Sequence, residues 1–173
     1  MRNYSNFDVN DFIMFFEEES NHVINKDQLK FLDKILQGEH LVVIKKRNLG
    51  ITQFLSLFAL YESIRKQWIL YMTHNKTMAQ YVSRFAFNFD HRPFNSSSQL
   101  IITPQIPVSQ LCGYSYDLII VEEACGFDRI TLDKTIRTML LPSLLRNGQL
   151  IVTDSIELGY ESLLSNLTFS QRD

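Results

Sequence analysis

Apolar residues change their spacing from one segment to the next, and those changes mark out alternating helices and strands. Leu29, Leu32, Ile35 and Leu36 recur at three- and four-residue steps, which places them on one face of a helix. Asn25 or Asp27 suits its cap and Gly38 its stop. The spacing then collapses into the continuous run Leu41-Val42-Val43-Ile44, β-branched and too short for a helix core, which predicts a strand buried on both faces. Helical spacing returns over 52–60, and a second strand is predicted over 67–73. Thr73 or Asn75 caps the next helix, whose inner side is Met78, Tyr81, Val82, Phe85 and Phe87.

Residues 90–98 read as a loop by composition. Leu100 to Thr103 and Val108 flank Pro104 and Pro107, which predicts a hairpin or an edge excursion. Gly113 and Ser115 turn the chain into a further strand over 116–121. Thr131 caps a helix through Ile136, Met139, Leu140 and Leu144, bent or ended by Pro142. Gly148 then leads into a strand over 149–153, and a helix over 160–167 closes the chain. At the other end, residues 1–24 carry Phe7, Phe12, Ile13, Met14, Phe15 and Phe16, and Asp11 is expected to cap a short helix with an aromatic face and Glu17-Glu18-Glu19 as its solvated end. Strands that alternate with helices predict an α/β fold: a mostly parallel sheet flanked by helices, with its ligand at the carboxyl ends of the strands.

Composition adds limits. A chain of 173 residues is expected to form one domain over 1–173, with 1–24 as an N-terminal extension. No apolar run approaches the roughly 18 residues of a membrane span, and the polar, acidic start is not expected to be a secretory signal. Cys112 and Cys125 lack metal-ligand spacing and fit a reducing interior; His91 has no partner nearby for a metal site. The formal net charge of −2 means that any contact with nucleic acid must be local or shared among subunits.

Two stretches carry candidate chemistry. Strand, polar turn with a glycine, then helix, over 41–60, is the context that cradles a phosphate with backbone N–H groups and a helix N-terminus. Against the common G-x-x-x-x-G-K-S/T pattern, Gly50 and Thr52 fit, while Lys45 stands in the first glycine slot and Ile51 in the lysine slot. About 70 residues later, Leu118-Ile119-Ile120-Val121 runs into Glu122-Glu123, paired carboxylates at a strand's carboxyl end.

Lys45-Lys46-Arg47-Asn48-Leu49-Gly50-Ile51-Thr52 resembles the deviant Walker A of the large terminase subunits, the ATP-driven DNA-packaging motors of tailed bacteriophages and related viruses. That motif often reads K-x-R-Q-x-G-x-S/T, with the cation moved to the front of the loop and Asn48 in place of the usual glutamine. The resemblance runs from about Gln28 to Leu164. It implies a P-loop NTPase fold of the additional-strand type, with ATP and Mg2+ as cofactors. Lys45 to Thr52 would cradle the phosphates and Gln28 would contact the adenine. Thr52 and Glu122, the latter in a slot usually held by Asp, would hold the metal, and Lys45 and Glu123 would serve catalysis, Glu123 as the base. Thr153 would sense the γ-phosphate in a coupling segment over 153–159 that departs from the usual S-T-P-x-G. Arg84, Arg137 and Arg146 are candidates for an arginine finger.

The partners implied are double-stranded DNA, portal and small terminase proteins, a separate nuclease domain or subunit, and further copies of the chain in a ring, in the host cytoplasm. A nuclease domain like that of large terminases is not expected within the 173 residues. Two alternatives stand beside the motor. One is a P-loop module that assembles with packaging proteins without hydrolysing ATP. The other is a helicase-like nucleic-acid-dependent ATPase.

Overall fold

The computed structural model describes residues 2–45, 49–65, 67–74, 76–87, 99–103 and 114–155. Lys46, Arg47, Asn48, Asn75, the 90–98 loop, Pro104, Pro107, Val108, Cys112, Gly113 and the closing helix over 160–167 lie outside the described residues. Five strands, β1 (Leu41–Lys45), β2 (Trp68–Thr73), β3 (Gln99–Thr103), β4 (Tyr116–Glu122) and β5 (Leu144–Ser155), form one sheet in the order β1-β5-β4-β2-β3. Every neighbouring pair is parallel. β3 is therefore a parallel edge strand laid beside β2, as the edge reading of this segment has it; Val108, the other arm of the alternative hairpin, lies outside the described residues.

Strict two-residue alternation divides the core into two layers. Ile69 and Tyr71 of β2, Leu118 and Ile120 of β4 and Ile151 of β5 face one side. There they meet α1 (Val9–Ser20), α2 (Lys26–Leu36), α3 (Ile51–Ile64) and Val82 of α4 (Lys76–Phe87). Leu70, Met72, Ile119, Val121, Leu150 and Val152 face the other, against Leu132, Ile136 and Leu140. Helix α3 lies between the sheet and α1, so it is apolar nearly all round: Phe54, Leu55, Leu57 and Phe58 are fully buried. The Phe12 ring packs edge-on against both Phe54 and Phe58, so α1 belongs to this core.

Several helix ends differ from the sequence reading. α1 is capped by Asp8, which accepts from the backbone N–H groups of Asn10 and Asp11, so Asp11 is left to accept from Tyr61 Oη at 2.6 Å. The Glu17-Glu18-Glu19 run lies inside that helix. α5 (Arg129–Thr135) is capped by Asp128, to which Thr131 donates through its backbone at 2.9 Å. It widens into a π-turn over Ile136–Leu140 and tightens again in α6 (Leu141–Ser143) before β5 begins at Leu144. Pro142 supplies no N–H and would crowd the carbonyl four residues back, and a widened turn just before it accommodates both facts.

Candidate active site

Four elements, β1, β2, β4 and α3, deliver charged or hydroxyl side chains to one point at the carboxyl edge of the sheet. Lys45, the last residue of β1, places Nζ 2.6 Å from Glu122 Oε1, 2.8 Å from Glu123 Oε1 and 3.0 Å from Thr52 Oγ1. The Thr52 hydroxyl, in the first turn of α3, donates to the same Glu122 Oε1, and the Tyr71 hydroxyl donates to Oε2. Glu122 is fully buried and Lys45 nearly so. A buried carboxylate needs this many donors, because an unpaired one costs several kcal/mol. Burial alone would lower the lysine's pKa, but Glu122 and Glu123 outweigh it and hold the group above its ordinary value. Lys45 is an ammonium throughout the neutral range.

Consecutive strand residues point to opposite faces, yet both glutamates reach Lys45. Glu122 lies on the α3 face as the last residue of β4. Glu123 then adopts a left-handed backbone (φ 54°, ψ 56°), which turns its carboxylate back toward the same cleft. That conformation costs a non-glycine residue about 1–2 kcal/mol. The chain continues into a short turn, Ala124–Gly126, which passes directly under His74. A Cβ at Gly126 would lie 2.1 Å from His74 Cγ, so any side chain there would displace the His74 ring.

Part of the predicted phosphate loop is described. Gly50 is left-handed at φ 68° and caps α3, and a Cβ there would sit 2.8 Å from Gln28 Nε2. Gln28 is buried and its amide is committed within the chain. Oε1 accepts from Asn25 N at 2.9 Å in a reciprocal cap of α2, and Nε2 donates to Leu49 O and Gly50 O, both at 3.3 Å. It is neither a surface glutamine nor one with its amide open to a base: it fastens the loop's exit. Ile51 is buried in the core, so the loop receives only its backbone N–H, and Leu49 packs partly against the same core.

Thr73 on β2 pairs in register with Glu122, and Thr153 on β5 comes one step after the Val121–Val152 pair, so the two threonines flank the glutamate. Both are fully buried, and neither hydroxyl has a hydrogen-bond partner among the described residues. On the adjacent step, Asp154 is buried, and its carboxylate, that of Glu123 and the Cys125 thiol bring ligand atoms within 4.8 Å of one another. Arg137 is exposed and pairs with Asp133, four residues earlier, at 3.0 Å. Tyr71 was not legible as a site residue. Its only signal was a phenol two places before Thr73 on the cleft face of an otherwise apolar strand.

The donor set around Lys45 suits Mg2+. Thr52 and Glu122 offer hard oxygens, and they already surround a cation, the lysine's own ammonium. A phosphate-loop strand separated from an acid-ended strand by one intervening strand, β1-β5-β4, is the additional-strand form of the P-loop NTPase fold. Among solved structures, the chain is similar to the crystal structure of the bacteriophage HK97 large terminase, with a TM-score of 0.62 and 14% identity over 83% of this chain. At that identity the likeness is one of fold, and the chain spans 36% of that protein's length. The sequence matches no family model and no curated protein. No helix among the described residues is long and apolar enough to cross a membrane.

Proposed function

We propose that the chain binds ATP with Mg2+ and hydrolyses it, as the ATPase part of a DNA-packaging motor of the large terminase kind. The observation that carries this reading is the single cluster formed by Lys45, Thr52, Glu122 and Glu123, which joins the phosphate loop to the acidic strand end. Thr52 and Glu122 would hold the metal, which when bound neutralises charge on the β- and γ-phosphates. Lys45 would turn from the glutamates to the phosphates, joined by Lys46, Arg47, Asn48 and the loop's backbone donors. Glu123 is the better base of the pair. Its side chain is 21% exposed whereas that of Glu122 is sealed, so Glu123 can meet a water. It would take that water's proton as the oxygen bonds to the γ-phosphorus and the β–γ bridge breaks, which releases ADP and phosphate. Thr153, buried beside Glu122 with its hydroxyl unpaired, suits a γ-phosphate contact.

Duplex DNA, portal and small terminase proteins, a nuclease domain or subunit, and a ring of copies in the host cytoplasm complete this reading. One observation favours a second: Ile51 leaves the usual lysine slot without a cation, as in a module that assembles but does not hydrolyse. Phosphate release from ATP by the full chain, with and without Mg2+ and duplex DNA, separates the readings. Release that depends on Mg2+ and rises with duplex DNA supports the motor. Nucleotide binding without release supports the assembly module, and stimulation by single strands alone supports a helicase-like enzyme.

A further inference from the structure

Glu122 has two carboxylate oxygens, and the structure gives them different surroundings. Oε1 faces Lys45 Nζ and Thr52 Oγ1, the groups of the cleft. Oε2 points the other way, into the core, where it accepts from Tyr71 Oη. Tyr71 is fully buried, reaches up from the middle of β2 on the cleft face, and its oxygen lies beside the Ser56 hydroxyl of α3. The Ser56 proton goes to Thr52 O at 2.6 Å, so the phenol packs against the same helix turn that carries the metal-side hydroxyl. Rotating the carboxylate to offer both oxygens to the cleft would strip Tyr71 of its acceptor in a site without solvent.

We infer that Tyr71 is a specificity-determining residue for the metal: it keeps Glu122 a one-oxygen ligand and so favours a small six-coordinate cation, Mg2+ or Mn2+, over Ca2+. The chemistry follows from the two ions' demands. Mg2+ takes six oxygens in near-ideal octahedral geometry and keeps several waters, so one carboxylate oxygen suffices. Ca2+ takes six to eight and is commonly served by a bidentate carboxylate, which Tyr71 denies it. Tyr71 touches neither nucleotide nor metal and acts through Glu122, so it is a positioning residue. The inference rests on the proposed nucleotide site.

The test is binding of a fluorescent ATP analogue to the full chain, titrated with Mg2+ or with Ca2+, and read as the ratio of the two half-saturating metal concentrations. Tyr71→Phe retains the ring and removes only the donor. We expect the variant to keep its circular dichroism spectrum and to lower the Ca2+ to Mg2+ ratio at least fivefold, mainly through tighter Ca2+. A general loosening of the fold would weaken both metals together and leave the ratio in place. An unchanged ratio overturns the role of Tyr71. Should Tyr71→Phe not fold, Ser56→Ala, which loosens the phenol but leaves Glu122 paired, is expected to shift the ratio in the same direction, and no shift overturns the inference. Wild-type protein that binds the analogue equally with and without metal overturns the nucleotide–metal site as well, an outcome distinct from an unchanged ratio.

Discussion

Glu123 Oε1 comes within 2.8 Å of Lys45 Nζ because the Glu123 backbone is left-handed at φ 54°, turning back a side chain that the strand would otherwise have sent to the opposite face. This left-handed residue is where the proposed mechanism places its base. Glu123→Gln is therefore expected to lower ATP turnover by roughly 10²- to 10⁴-fold and to leave nucleotide affinity within a few-fold. Single-turnover phosphate release beside equilibrium binding checks this. Equal loss in Glu122→Gln with little loss in Glu123→Gln would move the base to the neighbouring residue.

Lys45 occupies the place where Thr52 and Glu122 would hold a metal, so the two cations compete. Without nucleotide, wild-type protein is expected to bind Mn2+ weakly, and Lys45→Ala to bind it at least tenfold more tightly, as read by paramagnetic resonance. The same substitution leaves Glu122 buried without its countercharge, which costs about 3–5 kcal/mol. Thermal unfolding should show that loss, and added Mn2+ should restore part of it. A variant as stable as wild type, indifferent to Mn2+, would mean that the ion pair is incidental.

The predicted phosphate loop leaves through Gly50, whose left-handed φ of 68° and close approach to Gln28 both exclude a side chain. Gly50→Ala is expected to lower stability by about 1–2 kcal/mol, measured by denaturant unfolding. Gln28→Ala should loosen the same loop exit while leaving the Gly50 backbone relaxed. If neither change alters stability or nucleotide binding, the Gln28 tie is without consequence.

His40 supplies a pH dependence remote from the chemistry. The Leu150 N–H donates to its Nδ1 at 3.1 Å, at the start of the β1–β5 pairing, and partial desolvation of this otherwise exposed residue, with the nearby N-terminal charge, lowers its pKa from 6.5. Below its ordinary pKa the unfolded chain binds more protons than the folded one, so this contribution is complete above about pH 6.5 and is lost as pH falls toward the folded value. Melting temperature is expected to decline over that interval, and His40→Gln to flatten the decline. A wild-type profile that is level from pH 7 to 5 would contradict it.

The layer order was legible because the buried strands are continuous apolar runs and the helices keep a 3.6-residue period. Lys45, Thr52 and the Glu122-Glu123 pair stood out because each is polar at the end of such a run. What lay hidden depends on contacts between distant segments. Gln28 reads as one more polar position on α2 until the fold brings Leu49 and Gly50 to it. Tyr71 reads as core until Glu122 lies beside it on the neighbouring strand. Asp8 and Asp11, like Asp128 and Thr131, are equally good caps by composition, and the choice rests on which backbone turns first. The parallel pairing of β3 could not be distinguished from a hairpin by a short apolar run among prolines.

The most direct measurement is calorimetric titration of ATP with Mg2+ into wild-type chain, Lys45→Ala and Ile51→Lys. If Lys45 is the phosphate-binding cation, wild type binds, and Lys45→Ala loses about 10- to 150-fold in affinity, the loss of a charge-assisted contact of about 1.5–3 kcal/mol. Ile51→Lys then adds little, because its slot faces the core. Wild-type protein that gives no binding at millimolar ATP, with binding restored by Ile51→Lys, would contradict this and leave the loop as a relic on an assembly module.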